Sequence, residues 1–165
     1  MKIKWTTKKD QFPKMQQAIA ELNGKKVQVG VFGEQAWLAG IHEYGCKIEV
    51  TDKMRAYLHG QGLHLKDSTK FITIPERAFL RNGYDEGKQE VVEDAETLLS
   101  EVLAGNLSSE FLLGQIGQWM VSHIRDYATA LDAPANHPFT VERKGSSKPL
   151  VDTGDMIGAI SYEVN

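Results

Sequence analysis

Three groups of residues have the types and spacing to do chemistry. The first is Asp152 in "LVDTGD", residues 150–155. Two apolar residues followed by Asp-Thr-Gly form the turn that carries the catalytic carboxylate of an aspartic protease. That chemistry needs two carboxylates sharing one proton, from two lobes or two subunits. It also needs chain beyond the turn to build a flap, and only a few residues follow Gly154. The local alternative uses the same residues as a helix start. Asp152 or Thr153 would be the N-cap, with Gly154 and Asp155 in the first turn. Leu150 and Val151 would pack against Met156 or Ile157 as an apolar staple.

The second group is "HEYGC", residues 42–46. In H-E-x-x-H a helix puts two zinc ligands on one face around a general-base Glu. Here Cys46 would have to replace the second His. Gly45 is expected to end the helix first, which removes the i, i+4 geometry. On that basis His42 and Glu43 are polar helix-end residues and Tyr44 is partly buried. The third group is His59, His64 and Asp67 in a glycine-containing segment. A small metal-dependent hydrolase built on His42, His59 and His64 is the enzymatic alternative. His123 falls beside an aromatic helix stripe as a structural residue, and His137 lies in a proline-rich loop. "GVFG" lacks the Lys-Ser/Thr of a phosphate loop. No catalytic residue, metal or cofactor is expected.

The elements that position these groups follow from periodicity. "KIKW" alternates through Ile3 and Trp5 as a short strand. Phe12, Met15, Ile19 and Leu22 are spaced for a helix, with Pro13 in its first turn and Asn23-Gly24 as its stop. Val27, Val29 and Val31 alternate as a half-buried strand. "EQAWLAGIHEYG" is a two-turn helix. "CKIEV" and "KFITI" are further strands. Residues 51–70 between them read as a long mobile loop or hairpin arm.

Residues 85–104 and about 108–131 form two long amphipathic helices. Ser108 caps the second, and Gly114 and Gly117 suggest that another backbone passes close to it. The first carries seven acids from Asp85 to Glu101 against Lys88 alone. This acidic face is either solvated or the lining of a channel through which DNA slides without sticking. Residues 133–149 form a second mobile, polar loop. "ISYEV" is a final strand. The expected fold is α+β, one domain over 1–165: a small, mainly antiparallel sheet packed with two long helices.

Composition narrows the function classes. The net charge of −3 argues against sequence-independent duplex binding, which needs a basic face. A regulatory or nucleic-acid-binding module stays as a further alternative. Cys46 is the single cysteine, which excludes an internal disulfide and fits a reducing cytoplasm. "MKIKWTTKKD" lacks the apolar core of a signal peptide, and no apolar run reaches the roughly 20 residues of a membrane helix.

Four segments in order carry a family likeness: "VGVFG", "AGIHEYG", "ITIPERAFLR" and "HPFTVERKGSSKPLVDTGDMIGAISYEV". With them the chain resembles the small tail-component and virion-morphogenesis proteins of long-tailed bacteriophages and prophages, over roughly residues 26–164. That group shares A-x-x-H-E-(Y/F)-G, then I-P-x-R-(P/A)-F-(L/M)-R, then L-(V/I/L)-D-T-G. Ala78 departs from the more frequent proline, at an expected cost in turn rigidity.

The resemblance implies a non-enzymatic structural protein of the neck or tail end. Such a protein completes the tail or joins head and tail during virion assembly. Its partners would be other head–tail connector or tail proteins and further copies of itself in a ring, commonly of six, through which DNA passes. Such proteins can stay monomeric in solution until they meet the virion. The location implied is the virion, and the bacterial host cytoplasm during assembly. The motif positions carried over are His42, Glu43, Tyr44, Gly45, Pro75, Arg77, Phe79, Arg81, Leu150, Asp152, Thr153 and Gly154, as fold or assembly residues.

Overall fold

A computed structural model describes residues 12–165; the strand expected at Ile3 and Trp5 lies outside them. The elements in order are α1 (Phe12–Leu22), β1 (Val27–Val31), α2 (Ala36–Tyr44), β2 (Cys46–Glu49), α3 (Asp52–Gly60), β3 (Phe71–Ile74), α4 (Phe79–Leu103), α5 (Ser109–Ala130), α6 (Pro138–Lys144), α7 (Asp155–Gly158) and β4 (Ile160–Val164). A single 3₁₀ turn, Gly33–Gln35, leads into α2.

The antiparallel hairpin of α4 and α5 is the frame. Ser108 caps α5 as expected, its Oγ accepting from Phe111 N–H at 3.1 Å. Small residues let the helices approach. A Cβ on Gly83 would sit 2.9 Å from Ile124 Cα, and one on Gly87 would meet the His123 ring. The largest core surrounds this pair, with Phe79, Ile124 and Ile160 fully enclosed. A smaller core of Ala18, Val102 and Leu112 holds α1 against the far end of the hairpin.

The α+β pattern holds, with the strands in two separate antiparallel ladders. β1 pairs with β4 from Val27↔Val164 to Val31↔Ile160 and packs on α5. The object close to Gly117 is the ring of Tyr162 on β4, not a passing backbone. β2 pairs with β3 from Cys46↔Ile74 to Glu49↔Phe71.

The segment 51–70 differs from the expected loop, because it contains α3. Thr51 Oγ1 caps this helix by accepting from Met54 N–H at 3.2 Å. Arg55 then fastens the return chain, donating to the carbonyls of Leu65, Lys66 and Thr69. The segment 133–149 likewise contains α6, with Pro138 in its first turn and His137 Nδ1 accepting from Phe139 N–H. Neither helix buries a residue, so neither leaves an apolar period in the sequence. α4 begins six residues earlier than its acidic run, at Phe79. Its seven acids are all exposed.

Candidate functional site

Two of the motif segments meet at the junction of α2 and α4. A helix ends with four orphan carbonyls and begins with four orphan N–H groups. Here the two helices satisfy each other. Arg77 N–H donates to His42 O at 2.9 Å and Ala78 N–H to Glu43 O at 3.1 Å, which caps α2. In return the Glu43 carboxylate accepts from Leu80 N–H at 2.8 Å and Arg81 N–H at 3.3 Å, which caps α4. An anion is favoured at that helix start by the dipole.

Glu43 is the polar helix-end residue expected, and it is buried, at 2 % exposed. Arg81 Nε donates to it at 2.7 Å, while Arg81 Nη2 donates to Glu43 O at 3.1 Å and Glu76 Oε1 at 2.7 Å. These hydrogen bonds to carboxylates raise the Arg81 pKa further above its ordinary value. The Arg81 guanidinium also lies 5.0 Å from the ring centre of Tyr44. Tyr44 was expected to be partly buried; it is exposed, since its ring lies over Arg81 on the surface.

Gly45 ends α2 as expected, with φ 70°. A Cβ there would meet Glu76 N at 2.7 Å and Ile74 O at 2.8 Å, so only glycine fits the crossing of the two chains. Pro75 leads from β3 into that crossing, and Phe79 behind it is wholly buried. Ala78 also has a positive φ, 47°. Proline, locked near −65°, cannot adopt that angle and has no N–H to give Glu43 O. Alanine here thus permits a bonded left-handed turn; it does not simply reduce rigidity.

Arg77 is 4 % exposed and has no carboxylate partner among the described residues. Its three donors reach neutral acceptors instead: Pro134 O at 3.2 Å, Asn136 Oδ1 at 2.8 Å and His42 Nδ1 at 2.9 Å. Burial lowers the Arg77 pKa. An imidazole nitrogen that accepts from a guanidinium carries no proton of its own. Burial first, then the charges of Arg77 and Lys144, lowers the His42 pKa from 6.5 to about 4. His42 is therefore a neutral acceptor, fixed with its remaining proton on Nε2.

The third motif segment joins through Asn136, whose Nδ2 donates to Pro149 O at 3.0 Å. Lys144 Nζ donates to the carbonyls of Lys148, Pro149 and Val151. Burial depresses its pKa, Asp152 opposes this, and Arg77 adds to it. Lys148 Nζ reaches Asp132 Oδ1 and Ala130 O. A cavity of about 320 Å³ lies between His42, Lys144 and the Asp152–Asp155 turn. The cation in its lining, Lys144, already spends its three donors on backbone carbonyls.

The "DTG" turn is a helix entry with different details from those expected. Gly154, at φ 90°, is the N-cap residue of α7. Thr153 Oγ1 accepts from Asp155 N–H at 3.4 Å and donates to Asp155 Oδ2 at 2.7 Å. Asp152 makes no cap and is exposed. The staple is Leu150 with Met156, both buried in the main core. Arg125 on α5 secures the exit from α7, donating to Gly158 O and Ile160 O.

The metal-type residues do not gather. His59 and His64 stack edge to face, with ring centres 4.3 Å apart. No group of three His, Cys, Asp or Glu side chains converges among the described residues. His123 Nε2 lies 3.7 Å from Glu90. No described helix is long and apolar enough to cross a membrane.

Sequence reasoning named His42, Glu43, Arg77 and Arg81 but left them in two unconnected motifs. It missed Asn136 and Lys144, which lie in a segment read as loop. Compared with protein-family models, curated proteins and solved structures, the chain matches none.

Proposed function

We propose that this chain is a non-enzymatic structural protein of the neck or tail end of a long-tailed bacteriophage, completing the tail or joining it to the head. The sequence likeness supports this, and one structural observation accords with it. The polar residues gathered at the α2–α4 junction are consumed in holding the chain together. Glu43 caps a helix, His42 accepts from Arg77, and Lys144 is bonded to three carbonyls. A hydrolase would need some of these groups free to face a substrate. An assembly subunit instead needs a rigid junction from which surfaces project.

Deletion of the gene from its phage or prophage tests the proposal. Induced lysates should then contain filled heads and tails that do not join, or tails of abnormal end or length, in electron micrographs. Infectivity should return when the gene is supplied in trans. Normal yields of infectious particles from the deletion strain would refute it.

A further inference from the structure

The β2–α3–β3 arm has an unusual surface for a segment of almost thirty residues. No residue from Tyr44 to Glu76 is buried. None of its three elements packs extensively on α4, α5 or the β1–β4 ladder. Ordering so much chain is costly without burial. Two aromatic residues on it, Tyr57 and Phe71, each expose more than half their surface. Lys47, Lys53, Lys66 and Lys70 are also exposed and form no ion pair among the described residues. The arm holds five basic residues against three acidic ones.

The outer face of α4 is its electrostatic complement. The helix carries seven acids against Arg81 and Lys88. Two apolar side chains on the same helix, Tyr84 and Val92, are each about half exposed.

We propose that the β2–α3–β3 arm of one copy docks on the acidic outer face of α4 of a second copy. Opposite charge steers the two surfaces together and sets their register, while Tyr57 and Phe71 supply apolar area. Donor and acceptor surfaces are different patches of the same chain. The contact is therefore heterologous, and it repeats from copy to copy into a ring or a filament. This deepens the assembly role proposed above and rests on it for the expectation of a closed ring. It also gives the acidic helix an occupant, instead of leaving it to face DNA.

Charge reversal in the full chain tests the contact. The wild type should self-associate in sedimentation experiments, with affinity falling roughly tenfold or more between low and high salt, as screening predicts. The triple variant Lys53→Glu, Lys66→Glu, Lys70→Glu should lose association. So should Glu90→Lys, Glu93→Lys, Asp94→Lys. All six positions are exposed, so circular dichroism should report native folds. A chain carrying all six reversals should associate again. The proposal is overturned if the wild type stays monomeric at every concentration, if the arm variant associates like the wild type, if the sixfold variant stays monomeric, or if the arm's lysines prove to bind duplex DNA while the chain remains monomeric. Mass spectrometry of phage particles separates the two ideas. Particles that incorporate both triple variants normally would sink this contact and leave the virion role standing. Salt-dependent association of a chain never found in particles would do the reverse.

Discussion

Glu43 on α2 caps α4 through the backbone N–H of Leu80, at 2.8 Å. The acceptor and donor are 37 residues apart in sequence. A helix usually takes its cap from the residue just before it, and here that residue is Ala78, which has no side-chain oxygen. Replacing Glu43 by Ala strands two part-buried N–H groups and takes one carboxylate partner from the half-exposed Arg81. The expected loss is about 2–4 kcal/mol in urea unfolding. Glu43→Gln keeps one acceptor and should lose roughly half as much. An Ala variant within about 0.5 kcal/mol of wild type would contradict the reciprocal cap.

Arg77 joins three segments by the fixed fork of its guanidinium. Lysine carries the same charge on a single nitrogen and cannot reach Pro134 O, Asn136 Oδ1 and His42 Nδ1 together. Arg77→Lys should therefore destabilise the fold by about 2–3 kcal/mol, nearly as much as Arg77→Ala. A Lys variant as stable as wild type would mean that charge alone matters here.

His42 makes stability depend on pH in a defined window. Its pKa is lowered from 6.5 to about 4 in the folded chain. Between those values the unfolded chain binds the extra proton, so stability falls as pH drops through the window. Below about 4 this contribution is fully lost, and above 6.5 it is fully present. His42→Asn keeps an acceptor for Arg77 and removes the titration. Its unfolding midpoint should vary less across pH 4–6.5 than that of the wild type, which thermal unfolding at stepped pH would measure.

The "DTG" turn should respond through Thr153 and not through Asp152. Thr153→Val removes both contacts to Asp155 and should cost about 1 kcal/mol. Asp152→Asn should stay within about 0.5 kcal/mol, as surface changes usually do. The opposite order of effects would restore Asp152 as the cap.

Much of the fold could be read from the chain because its signals are local. β1 alternates over Val27, Val29 and Val31, α5 announces itself with Ser108, and Gly45 marks the end of α2. α3 and α6 escaped notice because their stability comes from Thr51, Arg55 and Lys144, not from an apolar stripe. The site was legible only as fragments. His42 and Glu43 read only as polar helix-end residues because their partners, Arg77 and Leu80, are distant in sequence. A buried arginine bonded only to neutral groups leaves no charge pattern to find.

The pairing of β1 with β4 also sets an order of events in synthesis. β1 emerges near the start of the chain, and its only ladder partner among the described residues is β4, at residues 160–164. The helical hairpin between them is synthesised before β4. β1 must wait, unpaired, until translation reaches β4. Chains cut short before Ile160 would carry an open strand edge, the form in which nascent polypeptides aggregate or are taken by chaperones and proteases. The ladder thus ties the pairing of β1 to chains whose synthesis has passed through β4.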